Sequence, residues 1–357
     1  MGAGPFRFVS WGRGESLKVV RNEQYWQKAP DGKPYPYLNA IDFQPVASSD
    51  ERLAALVKGD LNMIHTSAVS DLAENIPNLE DDGVVDALVS DDFTETAYLM
   101  LNVSGPPFDR REARIAFAQA MDRERVNDEA NKGFATLAKG PFAPEVLGYL
   151  EDPGTPSFDL EAAKKGVAAM EAADLRTRFS LLTSSGPAAI RTAGIQKDML
   201  EKAGFTIDLE VESEAGLIER VIAGTYELAA FRNQPGEDPD ANYNWWYGKG
   251  NPVNFGGWDD PELNDLLDAG RSEPDPAKRK AIYQDVNRRM ATQVFGMWAW
   301  FTPWAVVTAP EVHNIFGPPL PGEDPSQPGE ATTDDPARQP NQGLATAHSL
   351  LGLWIEQ

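Results

Sequence analysis

The chain has 357 residues, 41% of them hydrophobic, which is enough apolar surface to fold and more length than one ordinary core needs. Lysine and arginine total 32 against 55 aspartates and glutamates, a net charge of −23 that repels nucleic acid and anionic lipid. With no cysteine, disulfides, thiol catalysis and thiolate metal sites are excluded.

The opening residues show no charged segment followed by an apolar run, so no signal peptide is visible in this chain, and no apolar stretch approaches membrane-spanning length. Phe6-Arg7-Phe8-Val9 and Leu17-Lys18-Val19-Val20 read as strands separated by Gly12 and Gly14, and residues 41–46 alternate with period two. A helix is predicted over 49–58, with Leu53, Leu56 and Val57 on one face and Gly59 at its C-cap. Tyr98-Leu99-Met100-Leu101 reads as a strand, after which Asp109 is expected to cap a helix running through Met121 to about Asn127.

The middle of the chain reads β-α-β-α-β: a strand over 179–184, a helix opened by Pro187 and stopped at Gly204, a strand in which Phe205, Ile207, Leu209 and Val211 alternate, a short amphipathic helix ending at Gly224, and a strand over 226–231. That order implies parallel strands with right-handed crossovers, whose ligands bind beyond the strands' carboxyl ends. Two loops fall there, Ser184-Ser185-Gly186 and the polar stretch 232–240. Two further helices follow, the second capped by Asp275 with Pro276 in its first turn and Ile282, Val286 and Met290 on its buried face. Met297-Trp298-Ala299-Trp300-Phe301 reads as a strand with Trp298 and Trp300 on one face. Residues 317–343, crowded with Pro, Gly, Asp and Glu, read as a mobile surface loop, and residues 350–354 as an apolar stretch returning to the body.

Catalytic motifs are sparse. His65, His313 and His348 form no metal-binding pair, there is no G-x-S-x-G elbow, and Gly2-Ala3-Gly4 precedes a strand rather than a helix. Asp238-Pro239-Asp240-Ala241-Asn242 has Tyr243 where a calcium loop needs glycine, so it reads as a turn. Asn102-Val103-Ser104 fits a three-residue glycosylation sequon. The expectation is no cofactor, no metal and no enzymatic activity. Six of the nine tryptophans lie between residues 245 and 304, and Trp245-Trp246-Tyr247, directly after a strand-end loop, cannot all enter one core. At least one is expected to face a cleft, where aromatic faces suit sugars, aliphatic chains or peptide side chains.

Several segments, in order along the chain, resemble the family 5 extracellular solute-binding proteins, the peptide receptors of ABC importers. They are Gly2-Ala3-Gly4-Pro5-Phe6, Arg21-Asn22-Glu23-Gln24-Tyr25-Trp26, Leu38-Asn39-Ala40-Ile41, Arg52-Leu53-Ala54-Ala55-Leu56, Pro107-Phe108-Asp109-Arg110-Arg111, Ala120-Met121-Asp122-Arg123-Glu124, Asn254-Phe255, Asp260-Pro261-Glu262-Leu263 and the strand 300–307. The resemblance implies an α/β, periplasmic-binding-protein-like (type II) two-lobed fold, incomplete at the N-terminus. One lobe would span 98–309, with parallel strands; 1–97 and 310–357 would form part of the other. It also implies a periplasmic or cell-surface lipoprotein that captures a peptide or other small solute in an interlobe cleft and delivers it to importer permease subunits. Arg232, Asn233, Gln234 and Glu237 are the expected polar anchors, with Trp245, Trp246 and Trp300 as aromatic walls. Peptide-binding members carry an aspartate three residues before the Asp-Pro pair to grip the ligand's amino group. Pro235 stands there in this chain, which implies a ligand other than a free peptide N-terminus. An α/β hydrolase-like enzyme and a degenerate structural or partner-binding protein are the alternatives.

Overall fold

The computed structural model describes residues 2–29, 32–248, 250–313, 344, 345 and 350–356. The expected loop over 317–343 and His348 lie outside the described residues. The chain divides into two units, Met1–Asp91 with Pro303–Gln357, and Asp92–Thr302.

The first unit contains two three-stranded antiparallel sheets. One is β1 (Phe6–Gly12), β2 (Ser16–Arg21) and β3 (Ala40–Phe43), in that spatial order. The other involves β4 (Met63–Thr66) and β5 (Asp86–Ser90), with a strand from much later in the chain between them. The helix Ser49–Lys58 begins where the Ser48 side chain accepts the Glu51 N–H and ends at Gly59, whose φ of 84° is left-handed. Its Leu53 and Leu56 pack with Ile64, Leu72, Ile76 and Val307. Val57, expected on the same face, is instead exposed.

The second unit is built on one five-stranded sheet. Its strands are β6 (Thr96–Leu101), β7 (Arg178–Ser184), β8 (Thr206–Glu212), β9 (Leu228–Arg232) and β10 (Gly296–Phe301), in the order β10-β6-β9-β7-β8. β7 runs parallel to both β8 and β9, and the crossovers are the helices Pro187–Ala203 and Glu214–Ile222, as the β-α-β-α-β pattern predicts. β6 is antiparallel to β9 and to β10, so the sheet is mixed rather than wholly parallel. β6 alternates strictly: Leu99 and Leu101 enter a core on one face, Tyr98 and Met100 a core on the other. All six of its residues are buried, with β10 on one side of it and β9 on the other. The helix expected from Asp109 is two helices, Arg111–Ala120 and Arg123–Asn131. Asp122 interrupts them, accepting the Arg125 N–H as the second helix's cap.

The apolar run after residue 296 is also two strands. β10 stays in the second unit, whereas β11 (Trp304–Thr308) inserts between β4 and β5 of the first. The division between units therefore falls after Asp91 and after Thr302, earlier than the boundaries at 97 and 309 read from the sequence. The first unit closes with β12 (Val312–His313) paired to β13 (Trp354–Ile355); Leu353 is buried beside it while Trp354 is exposed.

Candidate functional site

Strand register builds the site. On β9, Arg232 is the partner of Ala97 on β6, and on β10 Trp300 is the partner of the same Ala97. Register partners point to one face of a sheet, so Arg232, Ala97 and Trp300 form a row across three strands. With strands about 4.8 Å apart, the two outer Cα atoms lie roughly 10 Å from each other, and the small side chain between them, Ala97, is buried, 8% exposed.

Trp298 is not in that row. A bulge between Trp298 and Trp300 shifts the pairing, so that Trp298 faces Tyr98 and Trp300 faces Ala97. Trp298 is fully buried in the core that contains Tyr98, its ring 4.4 Å from that tyrosine. Half-buried Trp300 packs against the opposite core. The period-two reading had placed both indoles on one face; the extra residue, Ala299, separates them.

Glu95 completes the row. Two residues before Ala97, its carboxylate accepts from Arg232 Nη1 at 2.8 Å, and its side chain is only 5% exposed against 42% for the arginine. Thr94 Oγ1 lies 3.3 Å from the other carboxylate oxygen and donates to the Thr302 carbonyl at 2.5 Å. A carboxylate removed from water needs such partners. Glu95 escaped the sequence reading, although the alternation Glu95, Ala97, Leu99, Leu101 was a signal that could have placed it.

The remaining expected contacts separate by burial. Asn233 is buried: its Oδ1 accepts the Thr96 N–H at 2.6 Å and its Nδ2 donates to the Pro141 carbonyl at 2.6 Å, so its amide ties the strand end together. Half-buried Gln234 is held by its backbone, which exchanges hydrogen bonds with the Asn242 side chain. Glu237 is exposed in the loop. Trp246, expected as a wall, is 1% exposed and packs on Phe142 and Trp298, while Trp245 is half-buried between Phe231 and Phe255. Burial of an indole beside large aromatic neighbours contributes more than exposure to a solute could. Trp246 is thus a core residue, while Trp245 and Tyr247 are the members of the triplet left partly open.

The loop after β9 is pinned by arginines from two later helices. Arg279 Nη2 donates to Asp238 at 2.7 Å, and Arg271 Nη2 to Asp240 at 2.8 Å. The Arg271 guanidinium lies over the Tyr243 ring, 3.6 Å from its centroid. Burial, and then the hydrogen bond to Asp268, push the Tyr243 phenol up to about 12, so it stays a neutral donor. Beyond the end of β10, Leu137, Lys139, Tyr149, Leu150, Glu151 and Phe301 line a hollow of about 240 Å³, smaller than the roughly 300–1,000 Å³ of ordinary ligand pockets. Every histidine lies outside residues 92–302, so this unit holds neither an imidazole base nor a thiol.

The chain is thus a two-unit α/β protein, one unit built on a mixed sheet with a polar and aromatic row at one end. A profile of the bacterial extracellular solute-binding proteins, family 5 Middle, matches residues 1–254, and the chain belongs to that family. It is similar to the oligopeptide-binding protein AppA of Bacillus subtilis, 23% identical over 245 residues, which are 64% of this chain and 43% of AppA. Among solved structures it is similar to the periplasmic binding protein DppA of Helicobacter pylori in complex with the peptide STSA. There the TM-score is 0.78 and the identity 21%, covering 87% of this chain and 60% of DppA. AgaA of A. tumefaciens R10, in complex with agropinic acid, also has a TM-score of 0.78, with 24% identity over 99% of this chain and 67% of that one. These likenesses establish the type II periplasmic-binding-protein fold. The chain spans about half the length of the curated relatives it matches.

Proposed function

We propose that the chain is the solute-holding part of an ABC-importer receptor, that it takes a peptide or another solute of that size over the Arg232–Ala97–Trp300 row, and that it yields the solute unchanged to a membrane permease outside the cytoplasm. The observation that carries the reading is the row itself: a charged and an aromatic side chain in register on either side of an alanine. Trp300 supplies an apolar wall, Arg232 and Gln234 supply donors, and exposed Glu237 supplies a carboxylate for a cationic group, while Trp245 packs against the core on the sheet's other face. With Pro235 in the loop, Glu237 is the group on which recognition of an ammonium rests. Asn233 and Trp246 act by holding the strand end and the loop in place.

Binding without chemistry agrees with the groups available, because the one buried carboxylate of the row is already held by an arginine and no nucleophile–base pair accompanies it. The test is thermal denaturation of the chain with the peptide STSA and, separately, agropinic acid, the solutes seen in the two similar structures. A solute at a hundred times its Kd adds about 2.7 kcal/mol, which for a unit of this size raises the Tm by roughly 5–10 °C. Recovery of the solute intact is expected; its hydrolysis would favour the enzyme reading, and no shift with either compound or with a mixed di- to pentapeptide pool would refute solute capture.

A further inference from the structure

The stretch from the end of β9 to the short turn Pro239–Asn242 is tied down at almost every residue. Arg232 reaches Glu95, Asn233 is bound to Thr96 and Pro141, and the Gln234 backbone is held by the Asn242 side chain. Gly236 turns the chain at φ 132°, a conformation open to glycine, and its N–H donates to the Phe93 carbonyl at 2.8 Å. The Asp238 carboxylate accepts the Asp240 N–H at 3.0 Å and so opens the turn, and Pro239 behind it is buried.

Two arginines lock this loop. Arg279, in the helix Pro276–Gln293, holds Asp238 through Nη2 at 2.7 Å, while its Nε donates to the Gly270 carbonyl at 2.9 Å. Arg271, in the helix Pro261–Ser272, reaches both carboxylate oxygens of Asp240 through Nε and Nη2, at 2.8–3.1 Å. The Tyr283 hydroxyl donates to the same aspartate at 3.2 Å. Glu237 stands between the pinned residues Gly236 and Asp238. It is exposed, and its carboxylate has no hydrogen-bond or ion-pair partner among the described residues.

We infer that Arg271 and Arg279 are positioning residues for recognition: by holding Asp240 and Asp238 they fix the loop before a solute arrives, so that Glu237 meets a cationic group without the loop first having to be ordered. The inference rests on the reading of this sheet end as the solute's seat and adds what aims it. Ordering a loop at the moment of binding subtracts from affinity, and a loop already fixed avoids that loss. With the Arg271 side chain 45% and the Asp238 side chain 57% accessible, the two ion pairs add little to global stability, so their consequence is local. The two arginines also differ in kind. Arg279 gives Asp238 one hydrogen bond, which a lysine can supply, whereas the two-oxygen grip of Arg271 and its stacking on Tyr243 need a guanidinium.

The test compares the parent chain with Glu237→Gln, Arg271→Met, Arg279→Met and the lysine variants R271K and R279K. One readout is amide hydrogen exchange at Gly236, Asp240 and Ala241 without solute. The other is the ratio of the calorimetric Kd for N-acetylated STSA to that for STSA with its free ammonium, the peptide of the similar DppA structure. In the parent the ammonium is expected to improve binding about tenfold, and Glu237→Gln should bring the ratio close to one. Both methionine variants should speed exchange at the three amides by about tenfold, with the amides of β9 and the Tm little changed. They should also lower the ratio about threefold. R279K should restore the ratio and R271K should not. Exchange that is no faster in either methionine variant would overturn the positioning role. Bound peptide whose ratio is already one in the parent, or stays at the parent's value while the loop loosens, would overturn that role alone. A parent chain that binds neither peptide would refute the solute reading and the positioning role with it.

Discussion

Arg232 on β9 and Trp300 on β10 stand in one row of the second unit's sheet because both are in register with Ala97 on the strand between them. The arginine's charge is balanced from below by Glu95, whose buried carboxylate it reaches at 2.8 Å. The row thus holds a half-exposed guanidinium, a small buried alanine and an indole, with no residue needing to move for the three to coexist.

Replacing Arg232 separates the structural from the recognitive part of this arrangement. Arg232→Ala leaves Glu95 buried without its arginine and is expected to cost about 1–3 kcal/mol, less than a fully buried pair because the guanidinium is half exposed. In urea denaturation, Glu95→Gln combined with Arg232→Ala should recover part of that loss, since no unpaired charge remains. Additive losses would show that the two groups are not coupled.

Trp246 is predicted to behave as a core residue. Trp246→Ala should lower stability by about 3–5 kcal/mol, the range for truncating a buried large aromatic, whereas Trp245→Ala, at a half-buried site, should cost markedly less. Melting curves of the two variants check the order, and a reversed order would return Trp246 to the solute-facing wall.

A pH dependence follows from the pair Arg178–Asp208, in which two hydrogen bonds of 2.7 Å join neighbouring parallel strands. The hydrogen bond from Arg178 holds the Asp208 carboxyl below its ordinary 3.8. A carboxyl depressed in the folded state contributes stability that is present above its unfolded value and lost as pH falls through the folded one. Asp208→Asn should therefore melt slightly below the parent at pH 7, and the gap should close as the pH is taken below about 4. A gap that persists unchanged at pH 2 would mean that charge is not its source.

Much of the second unit could be read from periodicity and caps. The β-α-β-α-β order, the Asp275 cap and the stop at Gly204 are local signals, and each appears where expected. What could not be read was non-local. That β6 lies antiparallel between β9 and β10 depends on pairing across more than a hundred residues, and only that pairing brings Ala97 beside Arg232 and Trp300. The two bulges, at Val9 and Ala299, each flip the parity of the residues that follow. One hid the separation of Trp298 from Trp300, and the other hid the continuity of Phe8 with Trp11. The amide of Asn233 looked like a solute contact because the sequence does not show that Thr96 and Pro141 compete for it. The split of one apolar run into β10 and β11 was likewise invisible, since both halves have strand composition.

The most direct measurement is calorimetric titration of Ala97→Leu and of the parent chain with whichever solute raises the parent's Tm. A leucine at position 97 puts a branched side chain between Arg232 and Trp300, where Ala97 is only 8% exposed. If the row is where the solute sits, affinity falls at least tenfold, about 1.4 kcal/mol, while far-UV circular dichroism matches the parent. Unchanged affinity in a folded Ala97→Leu variant would contradict the assignment of this row as the solute's seat.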